Sequence, residues 1–250
     1  MLETIVLVVA AFLTSTLSAV IGMGGGVTLL AIMALVIPDG YLVVAYHGII
    51  QLVSNFTRTT VYREQIDWPV LVRFAKGIIP GLFFAAGIVY GLIQLFNVSS
   101  ASELKIDFLK PIIGIYIIWF LYLRKKKPIS DKSFLWMGWL SGLVTVFVGA
   151  AGPLIAPFFI SREMKKESVI ATKAACQAIG HLGKLPIFIF LFNVDYIEDW
   201  LIILLLVLAV YIGTKFGKAM LGRLPEATFK TLFRIALTVI ALRLIILDLI

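Results

Sequence analysis

GMGGG, residues 22–26, lies inside LSAVIGMGGGVTLLAIMALVIP and puts four glycines into five positions of an otherwise apolar run. Each glycine in a helix interior costs about 1 kcal/mol relative to alanine, so the cluster predicts a break rather than a continuous helix. Composition gives the setting of that break. Of 250 residues, 61% are hydrophobic and 14% charged, and the mean hydropathy is +1.04. Soluble domains carry roughly 45–50% apolar and about 25% charged residues. Runs such as IIPGLFFAAGIVYGLIQLF and WLIILLLVLAVYIG are long, apolar and without a polar face, as spanning helices are. The fold class expected is therefore an all-α integral membrane protein crossing the bilayer several times.

A net charge of +8 would point to nucleic acid in a soluble protein. Here the basic residues collect in short loops, as they do on the cytoplasmic side of membrane proteins. A single cysteine, Cys176, excludes an internal disulfide and any cysteine-rich metal site. The acidic start MLET predicts no cleavable signal peptide.

Apolar segments fall at about 4–21, 27–37, 42–57, 70–96, 107–123, 134–148, 153–160, 168–192, 199–221 and 229–247. Their order repeats. Gly22-Met-Gly-Gly-Gly26 has a counterpart in Gly149-Ala-Ala-Gly-Pro153, each preceded by Leu-Ser and a short apolar run. HGIIQLVSNFTR from His47 then matches KAACQAIGHLGK from Lys173, so that Gln51 meets Gln177, Asn55 meets His181 and Arg58 meets Lys184. Gly81-x3-Ala85 corresponds to Gly213-x3-Gly217, small residues that let helices approach closely. The expected domains are a first repeat at 1–124, a basic cytoplasmic linker at 125–133 and a second repeat at 134–250.

Loop charge sets the topology. Arg58, Arg63 and Arg73 lie in one loop, Arg124 to Lys127 and Lys132 in another. Arg162, Lys165 and Lys166 lie in a third, and Lys215, Lys218, Arg223 and Lys230 in a fourth. NVDYIEDW, 193–200, has three acids and no base. With the four basic loops inside, segment 134–160 must leave and return to the cytoplasmic side as a hairpin tipped by GAAGP. By the repeat, 4–21 and 27–37 form a hairpin from the outside. Each half is then a glycine-broken hairpin plus three spans, the halves are inverted, and both termini lie outside. The rival arrangement, eight crossings with parallel halves, would put seven basic residues of 161–167 and 215–230 outside.

The break now has a rationale. Backbone in hydrocarbon cannot stay unpaired, so a break survives only where protein or a wet cavity surrounds it. The helices that follow start at the break, and their free N–H groups and positive dipole ends attract anions. Gly24, Gly25, Gly26 and Gly152 are the expected backbone donors. Paired broken helices entering from opposite faces are a transporter device. The plainer reading, that glycines merely permit tight packing, suits Gly81 and Gly213 better than a repeated cluster.

His47, Gln51, Asn55 and Arg58 share one helix face by their spacing, and Lys173, Gln177, His181 and Lys184 repeat the stripe. All eight offer hydrogen-bond donors and none is a carboxylate, which favours an anion over a metal or an organic cation. Gln51, Asn55, Gln177 and His181 are expected near mid-membrane, and Lys184 lies too deep for easy snorkelling. Arg58, His47 and Lys173 are left open between site and membrane interface. His181 is open between anion binding, proton carriage and bridging of helices. Ser18 and Ser141 recur ahead of both breaks, where a serine otherwise caps its own helix carbonyls. No phosphate loop, zinc-protease helix or serine–histidine–acid set occurs.

A glycine-rich break near the N-terminus, echoed halfway along and followed each time by a polar helix, resembles the TauE/SafE family. The likeness extends to the ending LPEATFKTLFRIALTVIALRLI. The second copy keeps Gly152 and Pro157 but reads GAAGP, and the first has Leu30 where the family pattern has proline. The resemblance implies export of sulfite, sulfoacetate or a related small inorganic or organosulfur anion across the cytoplasmic membrane. The expected protein is a secondary transporter without cofactor or metal, its anion held by Gly24–Gly26, Gly152, Gln51, Asn55, Gln177, His181 and Lys184. A proton or sodium ion is open as the coupling ion, and the oligomeric state is open. A passive anion channel and an intramembrane enzyme using His181 and Lys184 are the alternatives.

Overall fold

The computed structural model describes residues 2–21, 25–104, 109–123, 133–160, 164, 166–219, 235, 238, 239, 241, 242 and 244–246. Gly24 and nearly all of the linker expected at 125–133 lie outside the described residues. The described helices are α1 (Leu2–Ile21), α2 (Gly25–Val36), α3 (Gly40–Val61), α4 (Trp68–Phe96) and α5 (Leu109–Ile118), then α6 (Ser133–Phe147), α7 (Gly152–Ile160), α8 (Lys166–Phe192) and α9 (Trp200–Ala219). No strand occurs among the described residues. Local chemistry sets the ends. At the start of α4 the Asp67 carboxylate accepts from Val70 N at 3.1 Å and Pro69 occupies the first turn. At its end Asn97 takes the left-handed conformation (φ 52°) and the chain leaves the helix.

Burial runs opposite to that of a soluble protein. Phe83, Leu95 and Phe190 are more than 70% exposed, whereas His47, Asn55, His181 and Lys184 are buried. Trp68–Phe96, Ser168–Phe192 and Trp200–Gly217 are long and apolar enough to cross a bilayer. Large apolar side chains outside and paired polar groups inside are what hydrocarbon solvent requires. The chain is an integral membrane protein.

Two helix pairs approach backbone to backbone. A Cβ on Gly77 or Gly81 of α4 would stand 1.9 and 2.2 Å from the carbonyl oxygens of Leu135 and Trp139 on α6. A Cβ on Gly213 or Gly217 of α9 would stand 2.4 and 2.3 Å from those of Phe12 and Thr16 on α1. Only glycine permits such contacts. On α4 Gly81, expected from sequence as a close-packing residue, is joined in this contact by Gly77 one turn earlier. At the first break, a Cβ on Gly25 would stand 2.1 Å from the Thr14 carbonyl oxygen. The start of α2 therefore lies beside α1 instead of continuing it. At the second break Gly149 has φ +91° and donates to Val144 O at 3.1 Å, closing α6.

Candidate functional site

The two polar helices, α3 and α8, cross in the middle of the molecule and run antiparallel. Tyr41 stacks on Phe192 with centroids 5.9 Å apart at one end, and Ile170 shares a cavity wall with residues 56–62 at the other. Between them the rings of His47 and His181 meet edge to face, centroids 5.9 Å apart. These are the only two histidines in the chain. The stripe of α3 is buried at His47, Gln51, Ser54 and Asn55, and that of α8 at Lys173, His181 and Lys184, with Gln177 half-buried.

Each stripe touches a break. His47 Nε2 lies 2.8 Å from the Gly26 carbonyl oxygen. A carbonyl only accepts, so Nε2 carries the hydrogen. Nδ1 is then a lone pair in the neutral ring and a second donor in the protonated one. A Cβ on Gly26 would stand 3.1 Å from Gln51 Oε1, and one on Gly152 would stand 2.7 Å from Gln177 Nε2. Both glutamine amides thus press on the glycines that open α2 and α7, and the missing side chains make room for them.

Two of the three stripe cations, Lys184 and Arg58, are held by neutral oxygen. Lys184, fully buried, donates to Val44 O at 2.8 Å and Thr145 O at 3.4 Å. Its route to Val44 passes over Gly48, where a Cβ would stand 2.3 Å from Lys184 Cε. Thr145 lies in the last turn of α6, at the negative end of that helix, where a cation is favoured. Arg58 donates to Ser18 Oγ at 3.2 Å and to Asn55 Oδ1 at 2.9 Å. Each cation therefore ties its polar helix to the helix that precedes a break: Arg58 to α1, Lys184 to α6.

Three polar atoms here have no hydrogen-bond partner, His47 Nδ1, His181 Nδ1 and Asn55 Nδ2, and on α6 Ser141 Oγ has none either. Orphaned buried polar atoms are rare, and several together mark a place where a guest or water completes the bonding. The charged side chains of the two stripes, Arg58, Lys173 and Lys184, are all cations. Among the described residues no cluster of histidine, cysteine and carboxylates could hold a metal ion. What the arrangement can do is present donors to a small negative guest in a buried setting.

A profile of the family described as sulfite exporter TauE/SafE matches residues 7–244. The chain belongs to the TauE/SafE family. The match covers both breaks and both polar helices. No curated protein and no solved structure matches the chain. This is a family of membrane transporters.

Of the residues expected at the site, Gln51, Asn55, Gln177, His181 and Lys184 lie along the crossing, with Gly26 and Gly152 against the glutamines. Gly25 is packed on α1. His47, which sequence left open between site and headgroup level, sits at the centre against His181. Its i, i+4 spacing to Gln51 was the signal that could have placed it.

Proposed function

We propose that this TauE/SafE protein is a secondary transporter that carries a sulfur oxyanion or organosulfonate, sulfite among them, by alternating access between two inverted repeats. One observation carries the anion reading: along the buried crossing the amide donor Asn55 Nδ2 has no partner, and the charged side chains beside it, Arg58 and Lys184, are cations held only by neutral oxygens. Such a centre repels cations, and an arriving oxyanion supplies the acceptor that Asn55 Nδ2 lacks. The N–H groups at the starts of α2 and α7 would complete its shell, with Gly24 to Gly26 and Gly152 allowing close approach. Lys184 and Arg58 supply compensating positive charge.

The exchange of contacts between halves supports the inverted repeat. Glycines of α4, in the first half, pack on α6 in the second, and glycines of α9, in the second, pack on α1 in the first. A twofold axis in the membrane plane generates both from one. Matching the stripes at 51 with 177 makes the two glutamines equivalent, and the His47–His181 contact of two antiparallel helices supports an axis near them. Rocking of one half against the other would expose the centre to each side in turn.

Counterflow in proteoliposomes tests this reading. Vesicles preloaded with unlabelled sulfite should take up labelled sulfite transiently and saturably, and sulfoacetate should compete. Conductance without saturation or counterflow would contradict a carrier and favour a channel.

A further inference from the structure

A cavity of about 310 Å³ opens between α1, α3, α8 and α9, away from the histidine pair. Its wall includes Ser18, Phe56, Arg58, Val61, Tyr211 and Lys215, and no acid lines it among the described residues. The Arg58 guanidinium has five N–H donors. Nε donates to Ser54 O at 3.2 Å, Nη1 to Ser18 Oγ at 3.2 Å, and Nη2 to Ser54 Oγ at 3.2 Å and Asn55 Oδ1 at 2.9 Å. All four partners are neutral, and one Nη1 hydrogen remains on the edge beside Ser18. A part-buried guanidinium without a carboxylate keeps most of its attraction for an oxyanion, and its planar fork matches one. Lys215 is the second cation of the wall. Its Nζ stands 4.5 Å from the Tyr211 ring centroid, which holds the ammonium at the cavity.

We propose that this cavity is a second anion site, distinct from the central one, whose guest is a small organic anion with its acidic head on Arg58 and Lys215 and its carbon chain along Phe56, Val61 and Ile170. Charge complementarity selects the head, since among the described lining residues both ionisable groups other than the Tyr62 and Tyr211 phenols are cations. The wall selects the body. A bare oxyanion has nothing to place against Phe56 and Val61, and the volume lies at the lower end of small-molecule sites, which run from about 300 to 1,000 Å³. Arg58 joins this site to the centre. The Nη2 that fixes Asn55 Oδ1 belongs to the same guanidinium, and Asn55 Nδ2 is one of the unpaired central atoms. A guest drawing on Arg58 competes with Ser18 and Asn55 for its donors, which loosens α1 from α3 at the base of the first break.

The test is equilibrium binding of 1-butanesulfonate, methanesulfonate and sulfite to the purified full chain in phospholipid-free detergent. Butanesulfonate should bind more tightly than methanesulfonate. Arg58→Gln removes a charged hydrogen-bond donor and should weaken butanesulfonate about tenfold or more. Lys215→Gln, at an exposed position, should weaken it by a few fold, on the order of 0.5–1 kcal/mol. Val61→Trp fills the cavity from an exposed position; in the His181→Asn background, where the central site does not contribute, it should abolish butanesulfonate binding, and alone it should leave sulfite binding unchanged. His181→Asn should keep butanesulfonate binding. Equal butanesulfonate affinity in wild type, Lys215→Gln and Val61→Trp would overturn the assignment even if Arg58→Gln failed to fold. Displacement by phosphatidylglycerol micelles but not by phosphatidylcholine would overturn it too, assigning the cavity to a lipid headgroup. Normal sulfite flux in His181→Asn would remove the central site and leave this one standing, so the two readings fail separately.

Discussion

The Nζ of Lys184 on α8 donates to the carbonyl oxygen of Val44 on α3 at 2.8 Å, across a helix contact that Gly48 leaves open. A lysine in the middle of a membrane protein is thus bound to backbone carbonyls of two helices and to no carboxylate. Its removal orphans the Thr145 carbonyl at the end of α6 and opens space beside Gly48. Lys184→Ala should therefore destabilise by about 1–3 kcal/mol, and Gly48→Ala should act through the same contact. The two changes combined should be clearly less than additive in thermal or denaturant unfolding. Strict additivity would mean that Gly48 and Lys184 are independent.

The break glycines should separate by what their neighbours can do. A Cβ at Gly25 meets backbone, the Thr14 carbonyl at 2.1 Å, whereas one at Gly152 meets the tip of Gln177 at 2.7 Å. Backbone cannot yield cheaply but an amide can swing. Gly25→Ala should lower yield and melting temperature. Gly152→Ala should melt close to wild type yet lose most anion flux, because Gln177 is displaced. Equal stability of the two proteins would contradict this reading of the breaks.

The Tyr46 hydroxyl donates to Asp199 in the segment between α8 and α9, pinning that acidic stretch to α3. Tyr46→Phe should cost about 1 kcal/mol or more, the worth of a hydrogen bond to a charged acceptor, and leave sulfite affinity at the centre unchanged. Unfolding and binding curves on the same sample check both halves.

Inverted topology predicts sidedness. Cys176 is the sole cysteine and is buried, so Cys176→Ala gives a background without cysteine. In intact cells, a cysteine at Asp195 should react with an impermeant thiol reagent, and one at Lys126 or Lys165 should react only after lysis. Reaction at Lys165 from outside would favour parallel halves.

Much of this architecture was legible in the chain because its spans are punctuated. The expected segment 134–148 became Ser133–Phe147 and 70–96 became Trp68–Phe96, with serine, aspartate, proline and asparagine at the ends. The polar stripes were legible from spacing alone. Depth was not. His47 lies seven residues after the start of α3, a position hydropathy assigns equally to headgroup or interior, and only the crossing with α8 buries it. Nor could spacing reveal that Lys184 reaches carbonyls of α3 and α6, or that Lys215 joins Arg58 around one cavity. Those depend on how helices distant in sequence are laid together.

The central claim is that the histidine pair and its donors form the anion site. The most direct measurement is saturable uptake of labelled sulfite into proteoliposomes by wild type, His47→Asn, His181→Asn and Gln177→Ala, each first shown to melt near wild type. The account predicts that wild type transports sulfite and that each variant loses at least about tenfold in uptake, the equivalent of roughly 1.4 kcal/mol. Wild-type uptake in all three folded variants would contradict it.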